Sequence, residues 1–310
     1  MPPLCFNALM MTKHALLILT VLLVAGCQSQ PADSIFTPTQ TQSAPLATET
    51  PFLSPSATPT ESEKEAPDLT IAEDCKLIDG EMQFFDLESE YLDAGLQFRI
   101  WLPPCYQQQS ERHFPVLYMI HGQTFNDDQW DRLGLDEAAQ AGIAAGDYEP
   151  FIIVMPFDLS SAQPSVDPFE RAFIQELIPY IDSNFRTLAE SENRAVGGLS
   201  RGASWALHFA FYYPELFIAV GGHSPPVFVE DAPQMRSVLA EIPSELMPSI
   251  WMDIGEKDQQ AILNSAIWFE DVLTQNNIPH EWHLFTGYHD ENYWSSHVTL
   301  YLSWYTQNWQ

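Results

Sequence analysis

The chain predicts an α/β domain, a mostly parallel central sheet covered by helices on both faces. Three observations carry this. Short, continuous apolar runs recur along residues 116–285, the pattern of strands buried on both faces. Helical patterns separate them, and strand–helix alternation calls for parallel strands joined by crossovers. One of the runs, Arg194 to Leu199, ends in Gly198-Leu199-Ser200-Arg201-Gly202 and then opens a helical stretch.

The elements follow in order. Phe84–Leu87 and Leu96–Leu102 read as strands around the turn Asp93-Ala94-Gly95, and Pro103-Pro104 stops the second. Further strands are expected at 116–120, 151–155, 194–199, 218–221, 250–254 and 281–285. Helices are expected at 135–145, at 169–185 (with Phe173, Leu177, Ile178 and Ile181 at helical spacing), at 204–212, at 261–275 and at 296–309. No repeat or second linker interrupts residues 74–310, so they form one domain.

The segment before it is of another kind. Lys13-His14 precede an apolar run from Ala15 to Ala25, about 11 residues against the roughly 20 a membrane-spanning helix needs, which is the length of a signal-peptide core. The run closes in Val24-Ala25-Gly26-Cys27, which resembles a lipoprotein processing site with Cys27 as the lipidated residue. Residues 1–27 are therefore read as a signal peptide with lipobox, with a plain secretory signal as the other reading. Residues 28–73 are Pro-, Ser- and Thr-rich and lack apolar periodicity; they read as a disordered tether. Outside the cytoplasm, Cys75 and Cys105 are expected to pair, closing a loop of about 30 residues worth roughly 3.5 kcal/mol in the chain-entropy model.

The chemistry centres on Ser200. A glycine two residues before and two after a serine at a strand–turn–helix junction fits the G-x-S-x-G nucleophile elbow, because a Cβ at either glycine would strike the neighbouring strand or helix. A serine hydroxyl needs a base, and the base an orienting carboxylate. With the chain order Ser, acid, His, the acid is expected at Asp258, in the loop past the strand around 250–254. Glu256 is the reserve, Asp253 lies within the strand, and helix capping is the competing role for Asp258. The base is expected at His289, just past the last strand, with His297 as a packing histidine. Backbone donors for an oxyanion are expected at Arg201 and at Gln123, with Thr124 as the second possibility for the latter; Gly122 permits close approach. His121, Gly122, Trp130, His223 and Trp294 are candidate pocket residues. No zinc-type Cys/His cluster or phosphate-binding glycine loop is present, so no metal or cofactor is expected.

Taken together, His121-Gly122, Asn126-Asp127-Asp128-Gln129-Trp130, Gly197-Gly198-Leu199-Ser200-Arg201-Gly202, Gly255-Glu256-Lys257-Asp258 and Gly287-Tyr288-His289-Asp290-Glu291-Asn292-Tyr293-Trp294 resemble the esterase D / feruloyl esterase group of α/β-hydrolases. The resemblance spans roughly residues 84–308. It implies the α/β-hydrolase fold, a triad of Ser200, Asp258 and His289, and no cofactor. Many members of that group carry Met after the nucleophile. Arg201 stands there in this chain, and a charged side chain near the mouth is expected to alter substrate preference.

The expected function is that of a serine carboxylesterase outside the cytoplasm, acting on a small-molecule or carbohydrate-linked ester such as a feruloyl or acetyl ester. An acyltransferase on the same fold and a non-catalytic surface binding module are the alternatives. Lys and Arg total 12 against 42 Asp and Glu, a formal charge of −30, which argues against nucleic acid as a partner and leaves the lipid anchor as the only expected membrane contact. Oligomeric state is not legible in the sequence.

Overall fold

Among the described residues, eight strands form one sheet in the order β1-β2-β4-β3-β5-β6-β7-β8. The computed structural model describes residues 78–309. Cys27, Cys75 and the expected signal and tether, 1–73, lie outside the described residues. The strands are β1 (Glu81–Leu87), β2 (Leu96–Leu102), β3 (Val116–Ile120), β4 (Ile152–Pro156), β5 (Arg194–Leu199), β6 (Ala219–His223), β7 (Ser249–Gly255) and β8 (Glu281–Phe285). Only β2 runs against its neighbours, pairing antiparallel with β1 and β4; every other pairing is parallel. This is the α/β-hydrolase arrangement.

The apolar runs are strands because both of their faces are covered. Along β3, Val116, Tyr118 and Ile120 enter one core and Leu117 and Met119 the other. The first core is closed by α3 (Phe169–Ala172), α4 (Ile178–Asn184), α5 (Arg201–Tyr212), α6 (Met235–Glu241) and α7 (Gln260–Gln275). The second is closed by α1 (Gln129–Arg132), α2 (Leu135–Ala145) and α8 (Glu291–Thr306).

Several elements depart from the expected bounds; among the strands β1 starts at Glu81 instead of Phe84 and β6 runs to His223 instead of Gly221. The predicted helix 169–185 contains a π-turn, Phe173–Leu177, between α3 and α4. Pro179 in the first turn of α4 has no N–H to give and its ring crowds the preceding turn, so a widened turn there relieves the clash. The helix after Ser200 starts at Arg201, three residues earlier than expected, because Gly202 sits inside its first turn. The last helix starts at Glu291 instead of 296: the Asp290 carboxylate accepts from the Tyr293 N–H at 2.9 Å and caps it.

Candidate active site

The parallel strands all deliver their carboxyl ends to one rim, where ligands bind in open α/β sheets. At the end of β5 the chain turns sharply into α5, and Ser200 takes φ 53° and ψ −122°. A left-handed φ on a residue with a Cβ is strained. The strain is held by a hydrogen bond from the Ser200 N–H to the His223 carbonyl, 2.8 Å, at the end of β6. The flanking glycines are obligatory by contact. A Cβ on Gly198 would collide with the Gly202 carbonyl carbon, and one on Gly202 would collide with the Ile120 carbonyl oxygen.

Ser200 Oγ lies 2.9 Å from His289 Nε2, and His289 Nδ1 lies 2.9 Å from Asp258 Oδ2. With Nδ1–H donating to the carboxylate, Nε2 is free to accept the serine proton. Asp258 is buried and its Oδ1 also accepts the Gln259 N–H at 2.6 Å. It does not cap α7, which starts at Gln260. Glu256 is exposed beside Lys257, 3.5 Å away, on the surface. His297 gives its ring to packing, stacked on Phe285 with centroids 4.6 Å apart. The Trp294 ring stands edge-on to His289 at 4.9 Å, with its own N–H directed to Ser224 Oγ at 3.3 Å.

The candidate oxyanion donors flank the serine. Arg201 is the first residue of α5, where an amide has no carbonyl of its own helix to reach. Gly122 approaches so closely that a Cβ there would lie 3.5 Å from Ser200 Cβ and 2.7 Å from Leu199 Cδ1, which sets the exposed Gln123 beside the nucleophile. His121 is buried behind this strap. Its Nδ1 donates to the Gly122 carbonyl at 2.7 Å and its Nε2 accepts the Asp158 N–H at 2.9 Å. That pair of bonds requires the neutral ring, and burial lowers its pKa in the same sense.

Several sequence expectations need correction. The Arg201 side chain is not a free charge at the mouth. It is buried, donating to Asp158 Oδ2 at 3.0 Å and Asp167 Oδ2 at 2.9 Å, with Trp205 Nε1 on the same Asp158 oxygen at 2.8 Å. Arginine reaches two carboxylates where methionine reaches none, so the charge is drawn inward. Of the candidate pocket residues, His223 and Trp130 are covered at 0% and 1% exposed, and His121 and Trp294 are buried as well, with Trp294 against His289. Trp130 donates to the Ile120 carbonyl at 3.0 Å.

His223 belongs to a second His–Asp pair that the sequence did not reveal. Its Nδ1 lies 2.6 Å from Asp253 Oδ1, which also accepts from Trp251 Nε1 at 2.9 Å, while Asp253 Oδ2 accepts from Tyr293 at 2.6 Å and Tyr301 at 2.8 Å. Burial would raise the Asp253 pKa, but His223 and the ring of donors outweigh it and hold it below the ordinary carboxylate value. The one sequence sign of this network was an acid inside an otherwise apolar strand. Among the described residues no group of three His, Cys, Asp or Glu is placed to hold a metal.

Comparisons with known proteins bear on the fold and the family. The chain is 32% identical over 203 residues to an endo-1,4-beta-xylanase/feruloyl esterase of Xylanibacter ruminicola, a match covering 61% of this chain and 26% of that protein. It is 32% identical over 158 residues to an esterase of Mycobacterium tuberculosis, covering 48% and 33%. The chain thus spans about a quarter to a third of the length of the curated relatives it matches. Among solved structures, a ferulic acid esterase superposes with a TM-score of 0.67 at 21% identity, covering 75% of this chain and 100% of that one. The ferulic acid esterase of the anaerobic fungus Anaeromyces mucronatus gives 0.62 at 21%, covering 77% and 95%. At these identities the superpositions speak for the fold. The Esterase family model matches residues 89–304, most of the described domain, and on that match the chain belongs to the Esterase family, on an α/β-hydrolase fold.

Proposed function

We propose that the protein is a serine carboxylesterase in which Ser200 is the nucleophile, His289 the general base and acid, and Asp258 the residue that orients the imidazole and stabilises the imidazolium it becomes. The observation that carries this is the continuous chain Ser200 Oγ–His289 Nε2 and His289 Nδ1–Asp258 Oδ2, 2.9 Å at each step, at a rim where Ser200 is only half-buried. His289 Nε2 takes the hydroxyl proton as Oγ adds to the ester carbonyl. The carbonyl oxygen becomes an oxyanion facing the amides of Gln123 and Arg201. On collapse the C–O bond to the alcohol breaks, and His289 returns its proton to the leaving oxygen. Water then repeats the sequence on the acyl-enzyme and frees the acid and Ser200.

The substrate class that fits best is an acyl group on a carbohydrate, feruloyl or acetyl. The names of the Xylanibacter relative and of the ferulic acid esterases support the feruloyl member of that pair. We also propose that the domain is held outside the cytoplasm through lipidated Cys27 and the 28–73 tether, with Cys75 and Cys105 paired. Buried Cys105 is compatible with that pairing. A Cys27→Ala chain leaving the membrane fraction for the soluble one is the expected outcome.

The activity is tested by reacting purified protein with a fluorophosphonate beside Ser200→Ala, and by assaying methyl ferulate, p-nitrophenyl acetate and acetylated xylan. Labelling confined to the native serine, with ester turnover lost in the variant, is expected. Equal labelling of both proteins would remove Ser200 from the mechanism.

A further inference from the structure

The motif Asn126-Asp127-Asp128-Gln129-Trp130 contributes no group to the chemistry above, yet Gln129 is 0% exposed. A fully buried primary amide needs partners for both its oxygen and its NH2. In this structure the two partners come from the two halves of the site. Gln129 Oε1 accepts the Gly122 N–H at 2.9 Å, and Gln129 Nε2 donates to Glu291 Oε1 at 3.2 Å. Gly122 is the residue before the candidate oxyanion donor Gln123. Glu291 is the first residue of α8, two positions after His289.

The two contacts fix which way the amide points. Only the oxygen can face an N–H, and only the NH2 can face a carboxylate. Arg132, one turn along from Gln129, holds the carboxylate in place: its Nη1 lies 3.0 Å from Glu291 Oε1 and 3.1 Å from Oε2, and its Nε binds Asp128 Oδ1 at 2.9 Å. The chain Gly122–Gln129–Glu291–Arg132–Asp128 therefore ties the strap after β3 to the start of the helix that follows the base.

We propose that Gln129 is a positioning residue: it sets the tilt of the strap so that the Gln123 amide faces the developing oxyanion, and it holds that strap in register with His289. This rests on the esterase reading, and it adds a residue with no atom on the substrate. An oxyanion donor acts only if aimed at where the charge forms, so a small rotation of the Gly122–Gln123 segment removes transition-state stabilisation while leaving ground-state binding intact.

The test is steady-state kinetics on p-nitrophenyl acetate, with inhibition by phenylboronic acid as a tetrahedral mimic and melting temperature as a separate readout. Three variants are compared with the native protein: Gln129→Leu, Gln129→Glu, and Gln129→Glu combined with Glu291→Gln. Leucine leaves the Gly122 N–H without a partner. Its kcat is expected to fall about 10- to 100-fold, less than the loss of a whole oxyanion donor, with KM within about threefold and boronate affinity falling in parallel with kcat/KM. Gln129→Glu sets two carboxylates against each other and is expected to do the same. The double variant exchanges the two groups across one contact. The introduced carboxylate then accepts from both the Gly122 N–H and the introduced amide, and kcat is expected to return to within about threefold of native.

Retention of kcat and boronate affinity within about twofold in both single variants would overturn the proposal. So would kcat losses in a double variant no smaller than in Gln129→Glu. Should Gln129→Leu fail to fold, the charge-conserving exchange still decides. A native protein that does not turn over ester removes the esterase reading itself, and is distinguished from failure of this inference by the native assay alone.

Discussion

Two His–Asp pairs stand near the same rim, and they differ in what the second ring nitrogen meets. His223–Asp253 is the shorter, 2.6 Å against 2.9 Å for His289–Asp258. Yet His223 is wholly buried, and its second nitrogen meets Tyr305 Oη at 3.1 Å instead of a nucleophile. Asp253 takes two hydrogen bonds on each oxygen, so every donor near it depends on its charge. The two carboxylates are therefore expected to fail differently. Asp258→Asn keeps the shape but favours the wrong imidazole tautomer, and kcat should fall by about 10³- to 10⁴-fold with a melting temperature close to native. Asp253→Asn should lower the melting temperature by several degrees or more, because an amide cannot accept from all four donors and leaves buried polar atoms unpaired. Thermal melts run beside kinetics for both variants check this, and a stable, inactive Asp253→Asn would reverse the two roles. The elbow motif, the order Ser, acid, His and placement past strand ends pointed to Ser200, Asp258 and His289, three residues that the fold brings into one hydrogen-bonded chain. The same signals did not expose the inward turn of Arg201 or the burial of Trp130 and His223, because those depend on partners 34 to 43 and 30 residues away in the cases of Arg201 and His223, and on the packing between layers in the case of Trp130.

At the scale of elements, the central strands were legible to within about two residues, since β3, β4 and β5 are buried along their whole length and read as unbroken apolar runs, whereas half-exposed β1 starts three residues before the expected Phe84. Helices were less so. The α8 start was hidden by the polar run 286–292, and short α1 and α6 carry too few turns to show a period. The elbow, by contrast, is a local rule that three-dimensional contact enforces. Gly202→Ala would press a Cβ into the Ile120 carbonyl, backbone against backbone, and is expected to give little folded protein on expression, where Ser200→Ala should express normally.

The same helix carries a second charged device. His208 on α5 meets Asp231 at 2.8 Å and Glu170 at 3.5 Å, with Tyr212 stacked on its ring at 4.4 Å. Burial alone would lower its pKa, but the two carboxylates outweigh it and raise it to about 9. Glu170 is held below its ordinary value by His208, and Tyr212 is pushed up to about 12, chiefly by burial, while Tyr213, on Glu170, is raised further still by burial. These three neighbours therefore keep their charge state between pH 6.5 and 9. A raised histidine contributes fully below its unfolded value near 6.5 and loses its contribution as pH climbs through 9, on the order of 3 kcal/mol in all. Melting temperature of the native protein should therefore decline across that window relative to His208→Gln, whose curve should stay flatter; parallel curves would remove the imidazolium from the stability of the fold.

For the molecule as a whole, the dominant field is its own charge of −30, against which the rim sets the exposed cation Lys257, 5.7 Å from the Tyr288 ring beside His289. Two outcomes compete for an anionic ester. If the summed field governs encounter, the substrate is repelled at low salt and admitted as screening shortens the Debye length from about 30 Å at 0.01 M to about 8 Å at 0.15 M. If Lys257 governs, salt weakens the attraction and slows the reaction. A single ammonium already 3.5 Å from the Glu256 carboxylate has its field offset by that neighbour before any substrate arrives. The long-range term therefore wins. For mono-p-nitrophenyl succinate, kcat/KM is expected to rise severalfold over that salt range, through KM and with kcat unchanged, because screening acts on approach and not on the Ser200–His289–Asp258 geometry. For neutral p-nitrophenyl butyrate it should stay level. A fall for the anionic ester, abolished in Lys257→Gln, would show instead that the local cation steers the substrate against the field of the whole chain.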